Sequence, residues 1–375
     1  MLIKLDPSIV SEEVNQNGWL EEIVIALETL ASARREGKHA VIAERETLKQ
    51  ISECPDLSKP ARDIYHKAYN HFSQFKAYLN AVTKYIEIIN PCICPQISYH
   101  SGKQVIQVSP SFFNDSETAQ KTILLCENAN DAILYEIIAK VYLVWKKLKI
   151  PLACEHRGGG GSTIATEYSN IQKNQKRFCL SIIDSDKIAP NGNLGSTAKL
   201  VQEQNNPNCI TTELFLLNVR EIENLIPNSI LAEIVSGDRK RQNALSLLEK
   251  IQTSGAIDLK GFLDIKKGLL LKDILRVHSA EVVSFWQSRI TDIPEITNRI
   301  DDWCQKHWQC SKSNKCTCEI SLGFGENVLD NTVSWLQEKT PHKVAEMVDI
   351  YLREEWEQIG QIIVNWCFSE RPIRA

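Results

Sequence analysis

Apolar residues recur at spacings of three and four over much of the first third of the chain. In WLEEIVIALETLASARR (Trp19–Arg35), Leu20, Ile23, Leu27 and Leu30 share one face, which predicts an amphipathic helix. A second helical stretch is predicted from near Pro60 to about Ile89, with Tyr65, Tyr69, Phe72, Phe75, Leu79 and Val82 as its stripe. Core packing accounts for that aromatic stripe more simply than base stacking does. Pro91, Pro95 and the run KQVIQVS within Asn90–Phe113 predict a small strand pair. Residues 1–117 therefore read as a mainly helical N-terminal domain carrying one strand pair.

From 118 to 230 the pattern alternates. KTILLC (Lys121–Cys126), IPLAC (Ile150–Cys154), RFCLSII (Arg177–Ile183) and TELFLL (Thr212–Leu217) are short apolar runs suited to buried strands. Helical patterns at Asn130–Leu148, Thr163–Gln175 and Ser196–Gln204 lie between them. Strands separated by helices predict a Rossmann-like parallel sheet with helices on both faces. Reactive groups in such sheets gather where the strands end. Residues 231–375 turn helical again, at Leu245–Thr253, Lys260–Lys272, Ser279–Gln287, Asp330–Lys339 and Lys343–Phe368. A cysteine-dense insertion at 304–318 interrupts them.

Composition narrows the classes. With 43% hydrophobic and 24% charged residues over 375 positions, the chain can bury real cores, which excludes disorder or a collagen-like fibre as its main state. Lys and Arg number 43 against 47 Asp and Glu, a formal charge of −4. Coating nucleic acid through bulk charge is thereby excluded, and binding it would need a local basic patch. No apolar run reaches the roughly 20 residues of a membrane helix. The opening MLIKLDPSIVSEEV lacks the layout of a secretory signal. Twelve cysteines then read as reduced thiols or metal ligands, and the expected location is cytoplasmic.

The acidic residues of the middle segment carry the chemistry. Glu127 directly follows KTILLC, and Asp131 falls in the turn opening the next helix. Asp184 and Asp186 end RFCLSII, where a continuing strand would point both carboxylates to one side. Glu221 and Glu223 repeat the spacing after TELFLL, although Glu221 can pair with Arg220 and either can cap the following turn. Carboxylates gathered on one rim repel unless a cation neutralises them, and hard oxygen ligands suit Mg²⁺ or Mn²⁺. Such an ion would polarise a phosphoryl oxygen and activate water, so the chemistry predicted is phosphodiester cleavage or transfer.

The series LLCENANDA, RGGGGST, SIIDSDK and REIENLIP resembles a TOPRIM catalytic domain, nearest to the nucleases of OLD-type and related bacterial anti-phage proteins. The resemblance covers about residues 118–230. It implies that Glu127 assists proton transfer or binds metal, that Asp184 and Asp186 hold Mg²⁺, and that Asp131 and Glu223 match further acidic positions. It also implies a nucleic acid substrate, DNA or RNA, and a role in defence. The family usually has glycine after the first glutamate, where Asn128 stands here; asparagine tolerates left-handed backbone better than most residues. No ATPase motif is present, so control by a separate ATPase or sensor protein is expected, and the helical flanks offer surface for homo-oligomerisation. The other reading is a catalytically silent TOPRIM-like scaffold that binds nucleic acid or a partner protein.

Two further groups stand out. Gly158–Gly161, before Ser162 and Thr163, suit a backbone-amide cradle for phosphate, with Gly159 and Gly160 at its centre; the plainer account is a flexible connection with an N-cap. His156 and Arg157 beside this loop are candidate phosphate contacts or part of a solvated turn, and Lys187, next to the D-x-D, is a candidate substrate contact that would add positive charge near a leaving group. Cys304, Cys310, Cys316 and Cys318, spaced C-x5-C-x5-C-x-C with His307 inside, can bind structural Zn²⁺ or remain thiols on a loop. The Cys92-x-Cys94 pair beside two prolines fits packing better than metal. Cys126, Cys154 and Cys179 lie in the predicted apolar strands and read as inert core thiols.

Overall fold

A computed structural model describes residues 1–11, 19–90, 94–276, 279–310 and 316–373. Cys92 lies outside the described residues.

The first sheet contains β1 (Leu2–Leu5), β2 (Ala40–Ala43), β3 (Lys84–Ile88), β4 (Gln96–His100) and β5 (Lys103–Val108), in the order β2-β1-β3-β5-β4. β1 runs parallel to β2 and β3, and β3 runs parallel to β5. β4 alone is antiparallel, on β5. The N-terminal segment therefore combines its helices with a five-stranded, mostly parallel sheet in place of a single strand pair. The expected strand pair is the β4–β5 hairpin, at the edge of this larger sheet. The helix expected over Pro60 to Ile89 is three pieces, Lys59–Asn70, Phe75–Ala81 and the strand β3. AVIA and KYIEI are buried at every position, so they lack the alternation that marks a half-exposed strand, and at four or five residues they resemble helix fragments. In the helix Glu21–Arg35, Ile23, Leu27 and Leu30 are buried as expected, whereas Leu20 precedes the helix and is exposed.

The second sheet contains β6 (Thr122–Cys126), β7 (Cys154–Gly158), β8 (Cys179–Ile183) and β9 (Thr212–Leu216), all parallel, in the order β7-β6-β8-β9. Helices Ala129–Trp145, Ile164–Asn174 and Ser196–Gln204 connect them, which is the expected Rossmann-like arrangement. One strand was misplaced by the hydrophobic pattern. IPLAC is not a strand of this sheet; Leu152 bridges Phe368, and the strand is CEHRG, with His156 and Arg157 inside it. β7 is an edge strand with no fully buried position, so its sequence carries no apolar signal.

The C-terminal segment closes back on both sheets. Helix Arg353–Cys367 lies along helix Ala129–Trp145, and a Cβ on Gly360 would stand 2.3 Å from the Cβ of Tyr142, so only glycine allows that approach. Thr122 Oγ1 donates to the Trp366 carbonyl at 2.6 Å. The predicted helix Lys260–Lys272 is absent. In its place are a 3-10 turn (Ile257–Phe262), a loop, β10 (Gly268–Leu270) and the short helix Leu271–Arg276. Gly268 has φ +85° and abuts the Ser321 carbonyl, because β10 pairs antiparallel with β11 (Glu319–Leu322). The predicted helix Lys343–Phe368 is likewise divided, into Pro341–Met347 and Arg353–Cys367. No helix among the described residues is long and apolar enough to cross a membrane.

Candidate functional site

Because the four strands of the second sheet are parallel, their C-terminal ends share one edge, and the chain leaves that edge through acidic residues. Glu127 follows β6, Asp184 and Asp186 follow β8, and Glu221 and Glu223 follow the turn after β9. Asp184 lies in the combined field of Glu127, Glu223, Asp131 and Glu221, and Glu127 in that of Asp186, Asp131 and Glu221. Packing has thus brought together residues distant along the chain.

Each carboxylate is held by local structure. Asp184 Oδ1 accepts from the Ile222 amide at 3.0 Å, tying the end of β8 to the 3-10 turn Ile222–Leu225. The strand ends at Ile183, and Asp186 adopts left-handed backbone at φ 55°, its amide donating to the Arg220 carbonyl at 2.8 Å. The D-x-D is therefore not an extended pair, and strand alternation does not set its side-chain directions. Gly195 packs beneath Asp186, where a Cβ would meet the Asp186 carboxylate at 2.1 Å. Asp131 Oδ2 accepts from the Asn128 amide at 2.8 Å and caps the helix Ala129–Trp145. Asn128 is extended at φ −127°, so the left-handed tolerance invoked for it has no role.

Burial and mutual repulsion raise these acids. Burial first, then Asp186 and Asp131, push Glu127 up to about 7. Burial pushes Asp131 to about 6 and Glu223 to about 7. Asp184 is raised well above the usual carboxylate range by burial and by Glu127. Asp186 and Glu221 also rise through burial, with Arg220 opposing.

Two cations moderate this charge: Arg220, whose pairing with Glu221 the sequence predicts, and Lys266, which it does not reveal. Lys266 Nζ stands 3.1 Å from Glu223 Oε1 and 3.9 Å from Glu221 Oε2. Arg220 pairs with Glu221 at 3.2 Å and with Asp264 at 3.5 Å. Burial alone would lower the Lys266 ammonium, but the fields of Glu223 and Glu221 outweigh it and raise it. Lys266 and Asp264 lie in the DIKKG loop that periodicity assigned to a helix, and no local signal marks them as site residues. Glu221 Oε2 and Glu223 Oε2 remain buried without a hydrogen-bond partner, as does one Arg220 amino group.

The donor set suits a hard cation, with one qualification of geometry. No three of these carboxylates place oxygens within 4.8 Å of one another, so they do not form a tight cage. An ion such as Mg²⁺ that keeps several waters needs only one or two direct carboxylates and tolerates such spacing.

The expected phosphate cradle is largely committed elsewhere. The Gly159 amide donates to the Cys126 carbonyl at 2.8 Å and the Gly160 amide to the Glu127 carbonyl at 3.1 Å, so both fix the backbone of Glu127. Gly159 also accommodates Ile164, whose Cβ would lie 2.4 Å from a Cβ there. Arg157 is engaged by Glu155 at 2.5 Å and Glu167 at 2.9 Å. Lys187 is partly exposed immediately after Asp186, its amide donating to Ser185 Oγ at 3.3 Å.

Two groups among the described residues bring ligand atoms close enough that they could hold a metal ion: Cys304, Cys316 and Cys318, and Glu136, Cys154 and His156. In the second, His156 Nε2 lies 2.9 Å from Glu136, which also pairs with Lys140 at 2.6 Å. Cys154 is not an inert core thiol. Its hydrogen bond with Cys367, and then His156, pull it below the ordinary thiol range against the opposing effect of burial. Alkylation of the Cys154 peptide, followed by mass spectrometry, is expected to reach half its limiting rate below the ordinary thiol value. In His156→Ala the midpoint should move toward the ordinary thiol value of about 8.5; a wild-type midpoint already there would refute the assignment. Cys126, enclosed in β6, is raised by burial and should stay unmodified.

No protein-family model, curated protein or solved structure matches this chain.

Proposed function

We propose that the acidic edge of the second sheet is the active site of a divalent-metal-dependent phosphodiesterase, a TOPRIM-like nuclease acting on DNA or RNA. The observation carrying this reading is the convergence of Glu127, Asp184 and Glu223 near the strand ends of one sheet edge, each raised first by burial and further by neighbouring carboxylates. Such crowding is costly without a cation. Glu127, Asp184, Asp186 and Glu223 would hold Mg²⁺ or Mn²⁺, which supplies charge stabilisation and a more acidic water. Glu127, at the end of the central strand β6, would accept a proton from the attacking water or share in holding the ion. Asp131 fixes the helix start beside it, and Lys187 would contact substrate phosphate. Control by a partner ATPase or sensor, and a role in defence, belong to the same reading and rest on resemblance in sequence motifs alone.

A second reading has its own observation. Lys266 already sits on Glu223 and Glu221, as an ammonium would in a silent scaffold whose metal has been replaced by a side chain. One assay separates them. Plasmid, single-stranded DNA and tRNA are incubated with purified protein and Mg²⁺ or Mn²⁺. Cleavage that needs the ion and stops with chelator supports the enzyme; intact substrates under every condition support the scaffold.

A further inference from the structure

The cysteines of the 304–318 insertion converge although two lie on different elements. Cys304 is in the first turn of the helix Asp302–His307, and Cys318 directly precedes β11. Cys304, Cys316 and Cys318 are all buried, with sulfur atoms within 4.8 Å of one another. Cys310, partly buried, hydrogen-bonds with Cys316. The Asp301 amide donates to Cys318 Sγ at 3.3 Å, and the Asp301 carboxylate caps the helix that carries Cys304. An amide aimed at a sulfur is the outer contact that orients a thiolate ligand and supports its charge. Three clustered sulfurs, with a fourth bonded to one of them, come from ligands with short separations in sequence and suit the closed tetrahedral set of a structural zinc site.

This cluster is coupled to the acidic edge through backbone. The Cys318 carbonyl accepts from the Leu271 amide at 3.0 Å, and β11 then pairs with β10. Beyond β11, Phe324 donates to the Ile265 carbonyl and Gly325 to the Lys266 carbonyl, both at 2.8 Å. Gly323 lies so close that a Cβ on it would stand 2.3 Å from the Lys266 carbonyl oxygen. The strand leaving the cysteine cluster therefore grips the residue whose ammonium neutralises Glu223 and Glu221.

We propose that Cys304, Cys310, Cys316 and Cys318 bind one zinc ion, and that this ion holds β11 and the Lys266 loop in register against the acidic edge. The zinc site stands on its own; only the consequence for catalysis rests on the nuclease reading.

The test uses full-length protein purified without chelator, under reducing conditions. Elemental analysis should give about one zinc per chain. Exchange for Co²⁺ should give the visible and charge-transfer absorption of a tetrahedral thiolate site. Cys304→Ser and Cys318→Ser should each lose the ion, and the wild-type measurements decide the matter if those variants fail to fold. Less than about half an equivalent of zinc, a cobalt spectrum without thiolate bands, or a disulfide among these cysteines would overturn the site. The coupling is read by hydrogen exchange after removal of zinc. Amides of residues 264–270 and 318–325 should exchange faster while those of β6 stay protected. Unchanged exchange at 264–270 would overturn the coupling and leave the zinc result intact. Neither measurement uses a nucleic acid substrate, so failure here is distinct from failure of the nuclease reading.

Discussion

Glu127→Gln and Asp184→Asn are each expected to reduce metal-dependent cleavage by about 100-fold or more, the usual loss when a group stabilising transition-state charge is removed. Both substitutions keep the side chain's shape, so the effect reports charge and proton transfer. Gln at 127 cannot accept a proton from water. Asn at 184 retains an oxygen for the Ile222 amide but withdraws a negative charge from the centre of the group. Stability should move the other way. Each native carboxylate is repelled by its neighbours, so neutralising one should leave the melting temperature unchanged or higher. Rate assays and thermal melts on the same preparations check both halves. Cleavage that survives in both variants would place the chemistry elsewhere.

The second large effect is on stability, through pH and divalent cation together. Glu127, Asp131 and Glu223 hold their protons more tightly in the folded chain than in the unfolded one. Well below pH 4, both states are protonated and these groups contribute no difference. Between about pH 4 and pH 7 the unfolded chain releases protons that the folded chain retains, so stability falls as pH rises and levels off above about 7. Glu223 is 1% exposed, and its rise from 4.5 to about 7 corresponds to roughly 3 kcal/mol before coupling to its neighbours reduces it. Without added cation, the protein should therefore melt several degrees higher near pH 5.5 than near pH 8. Mg²⁺ or Mn²⁺ at about 100 times its dissociation constant would return roughly 2.7 kcal/mol, chiefly at the higher pH. Glu223→Gln should flatten the pH dependence. Melting that ignores divalent cation at pH 8 would mean that Lys266 already satisfies the carboxylates, and the metal centre would be lost.

The alternation of apolar runs and helical patterns over residues 118–230 determines a parallel α/β sheet, because strand burial and helix amphipathicity are local properties written in side-chain spacing. Acidic residues placed just after those runs could be located for the same reason: wherever a parallel strand stops, its next residues lie on the common edge. The rest depended on packing. β2 and β3 are fully buried segments of four or five residues, and β1 is buried at all but Lys4, so none has a period to read. CEHRG became β7 because a neighbour supplied its hydrogen bonds, while the more apolar IPLAC did not. Lys266 reached Glu223, and Cys154 met His156, Glu136 and Cys367, through contacts between segments remote in sequence. Those encounters fix which carboxylates are paired with cations and which thiol is drawn below its ordinary range, since charge interactions depend on distance in space, and only the assembled chain sets that distance.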